Sequence, residues 1–330
     1  MLRSLAALAL LLPCLILNTT AQAAETTNPY VGYWALTLPS GAPGWLGIYD
    51  DGGKLSGKIL WAVGSVVPVS SVEVTGGKLI VTRKHPSGKK GVKATIETIT
   101  GTCDGDTLAL TTVKKSGDGK ESDKGTFSGK RTPPMPPKPD LSKVKFGKPI
   151  SIFNGKDLTG WRLVETKAAN GWIAHDGVLT NDVTEAKASK KHYGNLRTDA
   201  EFEDFNLTLE TNVPKDSNSG IYLRGIYEVQ VLDSYGKPLD PHNMGAIYSR
   251  ITPSVAAEKP AGQWQTFDIT LVDRHATVIL NGKTIIDNQP VEGCTGGALW
   301  ADPMKPGPIY LQGDHSGANY RNILLRPVVK

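Results

Sequence analysis

The chain is poor in cysteine, in long apolar runs and in clustered charge of one sign, and each shortage removes a class of protein. Cys14, Cys103 and Cys294 are the only three cysteines in 330 residues, too few and too scattered for the disulfide framework that replaces a core in small secreted domains. Cys103 and Cys294 are expected to be two separate thiols. Nowhere does the sequence approach the ~20 consecutive apolar residues that cross a bilayer as a helix, so no integral membrane span is expected. The 37 Lys and Arg are offset by 32 Asp and Glu and never gather into a run that would track a phosphate backbone, which argues against nucleic acid as a partner. Gly-x-Ser-x-Gly elbows, P-loops, dinucleotide fingerprints and His-Glu-x-x-His motifs are missing, so serine-hydrolase, NTPase, dehydrogenase and zincin chemistry lack local support and no nucleotide cofactor is expected. Sustained apolar 3.6-residue periodicity is missing as well, which leaves little scope for amphipathic helices.

What is present is glycine (36), proline (22) and an apolar share of 39%, enough to bury a core built from short strands and tight turns. The start reads as an export signal over residues 1–23: Arg3 gives it positive charge, residues 5–17 are almost unbroken apolar sequence, and Ala21-Gln22-Ala23 is a cleavage pattern. A periplasmic or secreted location follows as an expectation. Residues 25–131 repeat short strand-like runs between Gly-rich turns such as Asp50-Asp51-Gly52-Gly53 and Thr75-Gly76-Gly77-Lys78, which predicts a small antiparallel β barrel or sandwich with Trp34, Trp45 and Trp61 as its core and rim. Thr132-Pro133-Pro134-Met135-Pro136-Pro137-Lys138-Pro139 opens a linker over residues 132–149. Few contacts are expected to cross it, so that the two parts fold independently. Residues 150–330 are again strand-rich: Phe205-Asn206-Leu207-Thr208-Leu209-Glu210 alternates, and Asn281-Gly282 sits between two apolar runs as a hairpin turn. The size suits a two-sheet jelly roll, making the whole protein all-β.

The run Asn218-Ser219-Gly220-Ile221-Tyr222-Leu223-Arg224-Gly225-Ile226-Tyr227-Glu228-Val229-Gln230-Val231 carries most of the chemistry. Period two places Ile221, Leu223, Val229 and Val231 on a core face and Tyr222, Arg224, Glu228 and Gln230 on the other, where a curved sheet makes a groove. An Arg224–Glu228 ion pair on a solvated face explains the same pattern equally well. A second strand, Ile309-Tyr310-Leu311-Gln312, alternates in the same way and runs into Asp314-His315, a pair able to act as acid, base or metal ligand. His242 is held in reserve, and the remaining histidines read as surface or turn residues. Glu228 and Asp233 point to opposite faces of a regular strand, so that strand supplies one inward carboxylate, not the pair an ordinary glycosidase needs.

Ser151-Ile152-Phe153-Asn154-Gly155-Lys156-Asp157-Leu158-Thr159-Gly160-Trp161, then Trp172, Asp176-Gly177, Asn218 to Arg224, Tyr227-Glu228-Val229-Gln230, Gly245-Ala246-Ile247-Tyr248 and Trp264 together resemble the 3-keto-disaccharide hydrolase domain family over residues 150–328. The resemblance implies a concanavalin A-like jelly roll acting on an oligosaccharide or glycoside whose C3 hydroxyl is already a ketone. It implies removal of the acidified C2 proton, β-elimination of the glycosidic oxygen from C1, and addition of water. Glu228 or His315 would transfer the proton. Arg224, His315 or a divalent metal held by Glu228 and His315 would stabilise the enolate. Tyr222, Gln230, Tyr248, Gln312 and a stacking Trp264 would bind sugar. A non-catalytic carbohydrate-binding module and an ordinary glycosidase on unoxidised glycans are the rival readings.

Overall fold

The computed structural model describes residues 28–87, 93–183 and 191–329; the export-signal reading lies outside them. Among the described residues the regular structure is strand throughout, with no helix, and so none long and apolar enough to cross a membrane. Gly32–Thr37, Pro43–Asp51 and Lys54–Trp61 begin an antiparallel meander that returns through Lys78–His85, Thr95–Asp104, Thr107–Lys115 and Glu121–Arg131 until the last strand pairs with the first. The remaining gap is bridged by residues 67–75: Val69 N–H donates to Gly57 O on one side and Ser70 N–H to Thr82 O on the other. This closes the sheet into a barrel around Trp34, Leu46, Ile48, Ile59, Val81 and Leu108. Closure lets the strands shed their exposed edges by curling, with one apolar face turned inward.

Past the proline-rich segment the chain forms two sheets. One orders Trp172–His175, Val178–Asn181, Ala318–Pro327, Phe205–Asn212, Gln265–Val272, His275–Leu280 and Lys283–Pro290, with Ile150–Ser151 beside Ala318–Pro327. The other orders Trp161–Leu163, Leu196–Thr198, Tyr310–Leu311, Asn218–Leu223 and Tyr227–Leu232. Leu207, Leu209, Phe267 and Ile269 of the first face Ile221, Leu223, Val229 and Val231 of the second in one core, the sandwich of a concanavalin A-like jelly roll. Asn281 (φ 50°) and Gly282 (φ 79°) form the expected hairpin turn, both in the left-handed region that a type I′ turn requires.

The expectation of few contacts between the two parts is not met. Trp45 and Leu60 leave the barrel wall outward and join the jelly-roll core. The Trp45 indole N–H donates to Glu292 O at 3.2 Å, the Arg250 guanidinium lies 4.3 Å over its ring, and Tyr33 and Tyr49 both donate to the Glu292 carboxylate at 2.9 Å. Even the linker is tied down: Asn288 donates to Pro139 O at 2.8 Å and Arg274 to Pro134 O. A strand-period reading assigns outward barrel residues to solvent; here a second apolar surface covers them. Cys103 and Cys294 are both free thiols, and burial pushes the Cys294 thiol up to about 11.

Candidate active site

The face of the five-stranded sheet turned away from the core floors a pocket of about 430 Å³, within the usual ~300–1,000 Å³ of small-molecule sites. Register builds it. Tyr222 pairs with Tyr310 on one side and with Glu228 on the other, so three polar side chains from three strands stand in one row. Gly220 pairs with Gln230, and Gln312 N–H donates to Gly220 O, which makes a second row with an empty middle position. The empty position is needed. A Cβ at Gly220 would overlap Glu228 Oε1, so glycine lets the carboxyl lean across the row.

Glu228 is 3% exposed, and burial, opposed by the Tyr222 hydrogen bond and by His315, pushes its carboxyl up to about 8. The Tyr222 hydroxyl lies 2.9 Å from Glu228 Oε2 and 2.7 Å from Gly296 O. A phenol has one proton and the carbonyl can only accept it, so with that proton on Gly296 the shared hydrogen on the other side belongs to Glu228. Burial favours the neutral acid, and a Tyr222 proton directed to Gly296 O is compatible with it. Behind it Tyr222 stacks on Tyr310, centroids 4.1 Å apart and 13° between planes, and burial drives both phenols well above their ordinary value. Neither is a base.

Across the pocket, His315 Nδ1 lies 2.6 Å from Asp314 Oδ1. That hydrogen bond raises the imidazole above its ordinary value against the pull of burial. Burial works upward on Asp314, yet the bond and charge of His315 hold its carboxyl below the usual range. With Nδ1 engaged, proton exchange with a ligand falls to Nε2. The loop is held by Asn195, whose Oδ1 accepts from Gly313 N at 2.8 Å and Asp314 N at 3.3 Å while its own N–H and amide donate to Glu165.

Gln230 and Gln312 line the pocket with buried amide oxygens that meet no partner, and Gln230 gives one amide hydrogen to Asn218 at 3.2 Å. Unpaired buried polar atoms in a cavity are places for ligand hydroxyls. Tyr248 joins them from the sheet edge, its N–H bonded to Glu228 O.

Six of the residues expected from sequence thus converge: Tyr222, Glu228, Gln230, Tyr248, Gln312 and His315. Arg224 and Trp264 do not. The strand alternation stops at Leu223, and Arg224 (φ 54°) occupies the following turn with Gly225, its guanidinium buried on Pro303 O and Lys305 O at 2.7 Å. It neither faces the groove nor pairs with Glu228. Trp264 precedes a strand of the other sheet and lies under the Arg321 guanidinium at 3.9 Å on that sheet's outer face, across the core from the pocket. No group of three or more His, Cys, Asp or Glu that could hold a metal ion occurs among the described residues. Sequence reasoning missed Asn195, Glu165, Tyr310, Gly220 and the glycines Gly296 and Gly297. Tyr310 was legible, because it alternates with Ile309 and Leu311.

A β sandwich with a buried carboxyl, an Asp-oriented histidine and unpaired amides along one groove defines a class of pocket suited to a small ligand rich in polar groups. The chain belongs to the family described as the 3-keto-alpha-glucoside-1,2-lyase-like domain, which matches residues 148–326, as the motifs suggested. A curated 3-keto-disaccharide hydrolase of Bacteroides thetaiotaomicron is 27% identical over 179 residues, 46% of this chain and 59% of that protein. The chain thus spans less than two thirds of that relative. A crystallised candidate glycosyl hydrolase of Parabacteroides distasonis is 33% identical, covering 59% of this chain and 92% of its own, with a TM-score of 0.44. Another from the same organism is 24% identical over 55% of this chain and 100% of its own, with a TM-score of 0.41.

Proposed function

We propose that the chain cleaves 3-keto-glycosides, with His315 removing the C2 proton and Glu228 protonating the departing oxygen. The burial of Glu228 in the pocket, which pushes its carboxyl up to about 8, with a Tyr222 hydroxyl that reaches both Glu228 and the Gly296 carbonyl, is the observation that supports this reading. A ketone at C3 acidifies C2–H, so a histidine held by Asp314 is a strong enough base. The C2–H electron pair becomes an enolate. It then closes a C1=C2 double bond while the C1–O pair leaves on the aglycone oxygen, which takes the proton of Glu228. Addition of water across C1=C2 completes net hydrolysis. The Gln312 amide and the Gln230 amide hydrogen not given to Asn218 can donate to the C3 oxygen, a role that Arg224, turned into the core, does not fill. Amide donors already aimed into the pocket stabilise such a charge with little reorganisation.

Leaving-group chemistry tests the assignment. Glu228→Gln is expected to lose roughly 10² to 10⁴ in turnover on an alkyl 3-keto-glucoside and little on a nitrophenyl one, whose phenolate departs unaided. His315→Gln should lose both, together with exchange of the C2 hydrogen against deuterated solvent. A folded Glu228→Gln protein with near-normal rate on the alkyl substrate defeats the acid role. Equal turnover of the unoxidised glucoside would make the chain an ordinary glycosidase, and binding of the keto-sugar without turnover a binding module.

A further inference from the structure

The pocket is not built by the jelly roll alone. Strand Lys54–Trp61 of the barrel ends in a loop, residues 62–66, that reaches it, and Val63 and Gly64 form part of its lining. The loop has a demanding shape: Ala62 (φ 65°) and Gly64 (φ 76°) are both left-handed, unusual for alanine. It is pinned from both sides, by Ser65 Oγ to His242 Nε2 and by Val66 N–H to Ser249 Oγ, each 2.8 Å. Its backbone presses directly on the segment that carries Gly296. Gly297 N–H donates to Ala62 O at 3.2 Å, and a Cβ at Gly296 would sit 2.7 Å from Gly64 N and overlap Gly64 O. On its far side Gly296 O accepts the Tyr222 proton, and Tyr222 touches Glu228.

We propose that the barrel is a working part of the catalytic pocket: residues 62–66 seat Gly296 and Gly297 so that the Gly296 carbonyl holds the Tyr222 proton, which keeps Glu228 in its acid form. The inference rests on the reading of Glu228 as the acid, although its protonation is measurable without substrate. Tyr222 from the neighbouring strand, Tyr310 stacked behind it, Asp314 and His315 from the loop opposite, Tyr248 from the sheet edge and Glu165 at the rim are the titratable groups around Glu228. Neither residues 62–66 nor residues 295–297 bring a charge. The barrel therefore acts on Glu228 through the direction of one phenolic proton. Released from Gly296, Tyr222 donates to the carboxylate instead, and a hydrogen bond to the charged form favours it. Residues 62–66, Gly296 and Gly297 are positioning residues.

The test is an infrared pH titration of the full chain, with the Glu228 acid band assigned by its absence in Glu228→Gln. Wild-type protein, its Tyr222 proton held by Gly296, is expected to lose the band at or above about 8. In Gly296→Ala, whose methyl group pushes the barrel loop away, the midpoint should fall by about one pH unit or more, a tenfold change in ionisation, and the alkaline limb of kcat/KM should move with it. Should Gly296→Ala fail to fold, the Ser65→Ala, Ser249→Ala double variant loosens the same loop from outside the pocket and is expected to shift the midpoint the same way, by less. A folded variant that is less stable yet titrates like the wild type would reduce the barrel to a packing partner and overturn the inference. A shifted band in a protein that does not cleave 3-keto-glucosides would support it while removing the proposed reaction.

Discussion

Replacing Glu228 with Gln removes an ionisation that folding opposes, and the consequence for stability has a definite sign. The folded carboxyl titrates near 8 against an ordinary value of 4.5, so between these values the folded state keeps a proton that the unfolded chain has released. Stability of the wild type must fall as pH rises through that window and level off above it. At about 1.4 kcal/mol per pH unit the whole gap amounts to roughly 5 kcal/mol, of which roughly 3 kcal/mol has accrued by pH 7. Gln has no such ionisation, and its amide can donate to the Tyr222 oxygen as the acid hydrogen does, in the space that Gly220 leaves. The variant should match the wild type within about 1 kcal/mol near pH 5 and exceed it by roughly 3 kcal/mol near pH 7, a large share of a typical ~5–15 kcal/mol. Urea unfolding of both proteins at about pH 5, 7 and 9 measures the difference, and ionisations elsewhere cancel between them. Parallel stability profiles would refute the buried-acid reasoning. A variant less stable than wild type at neutral pH would restore the ion pair that the sequence pattern also allowed.

The rate profile should be a bell, its alkaline limb falling near pH 8 as Glu228 ionises and its acid limb set by His315, raised above its ordinary value by Asp314; Asp314→Asn should move the acid limb to lower pH. Arg224→Met leaves the carbonyls of Pro303 and Lys305 unpaired and is expected to cost about 1–3 kcal/mol in denaturant melts with kcat/KM of the folded enzyme unchanged. A rate collapse there would return Arg224 to the site. Exhaustive chelation should leave turnover intact, because the proposed proton transfers need no cation and no group of three or more His, Cys, Asp or Glu that could hold one occurs among the described residues; loss of turnover restored by added zinc or manganese would show that Glu228 and His315 serve a metal.

Alternation alone assigned Ile221, Leu223, Val229 and Val231 to the core and Tyr222, Glu228 and Gln230 to the groove, and the register confirms each. Such side-chain direction is a local property: the pleat repeats every two residues whatever else surrounds the strand. The same rule failed at Arg224 because the strand had already ended, and a left-handed turn redirects whatever follows it. Trp264 failed for a different reason. An aromatic residue announces burial area, but which of two sheets presents it, and on which face, depends on a topology that no short segment encodes.

By itself the sequence determined the all-β class, the proline-rich break and the two alternating strands that floor the pocket, because strand period, turn chemistry and proline's missing donor act over a few residues. It also supplied the motifs of the family. Only the tertiary structure buries Glu228, which pushes its carboxyl up to about 8, and brings its partner Tyr222 to a carbonyl at Gly296, sixty-eight positions from Glu228. It alone decided that the barrel closes the pocket, through a contact between Gly64 and Gly296 that carries no side chain on either partner. Glycine against glycine leaves no signature in apolar pattern or charge; the approach of two backbones exists only once both domains are folded and docked.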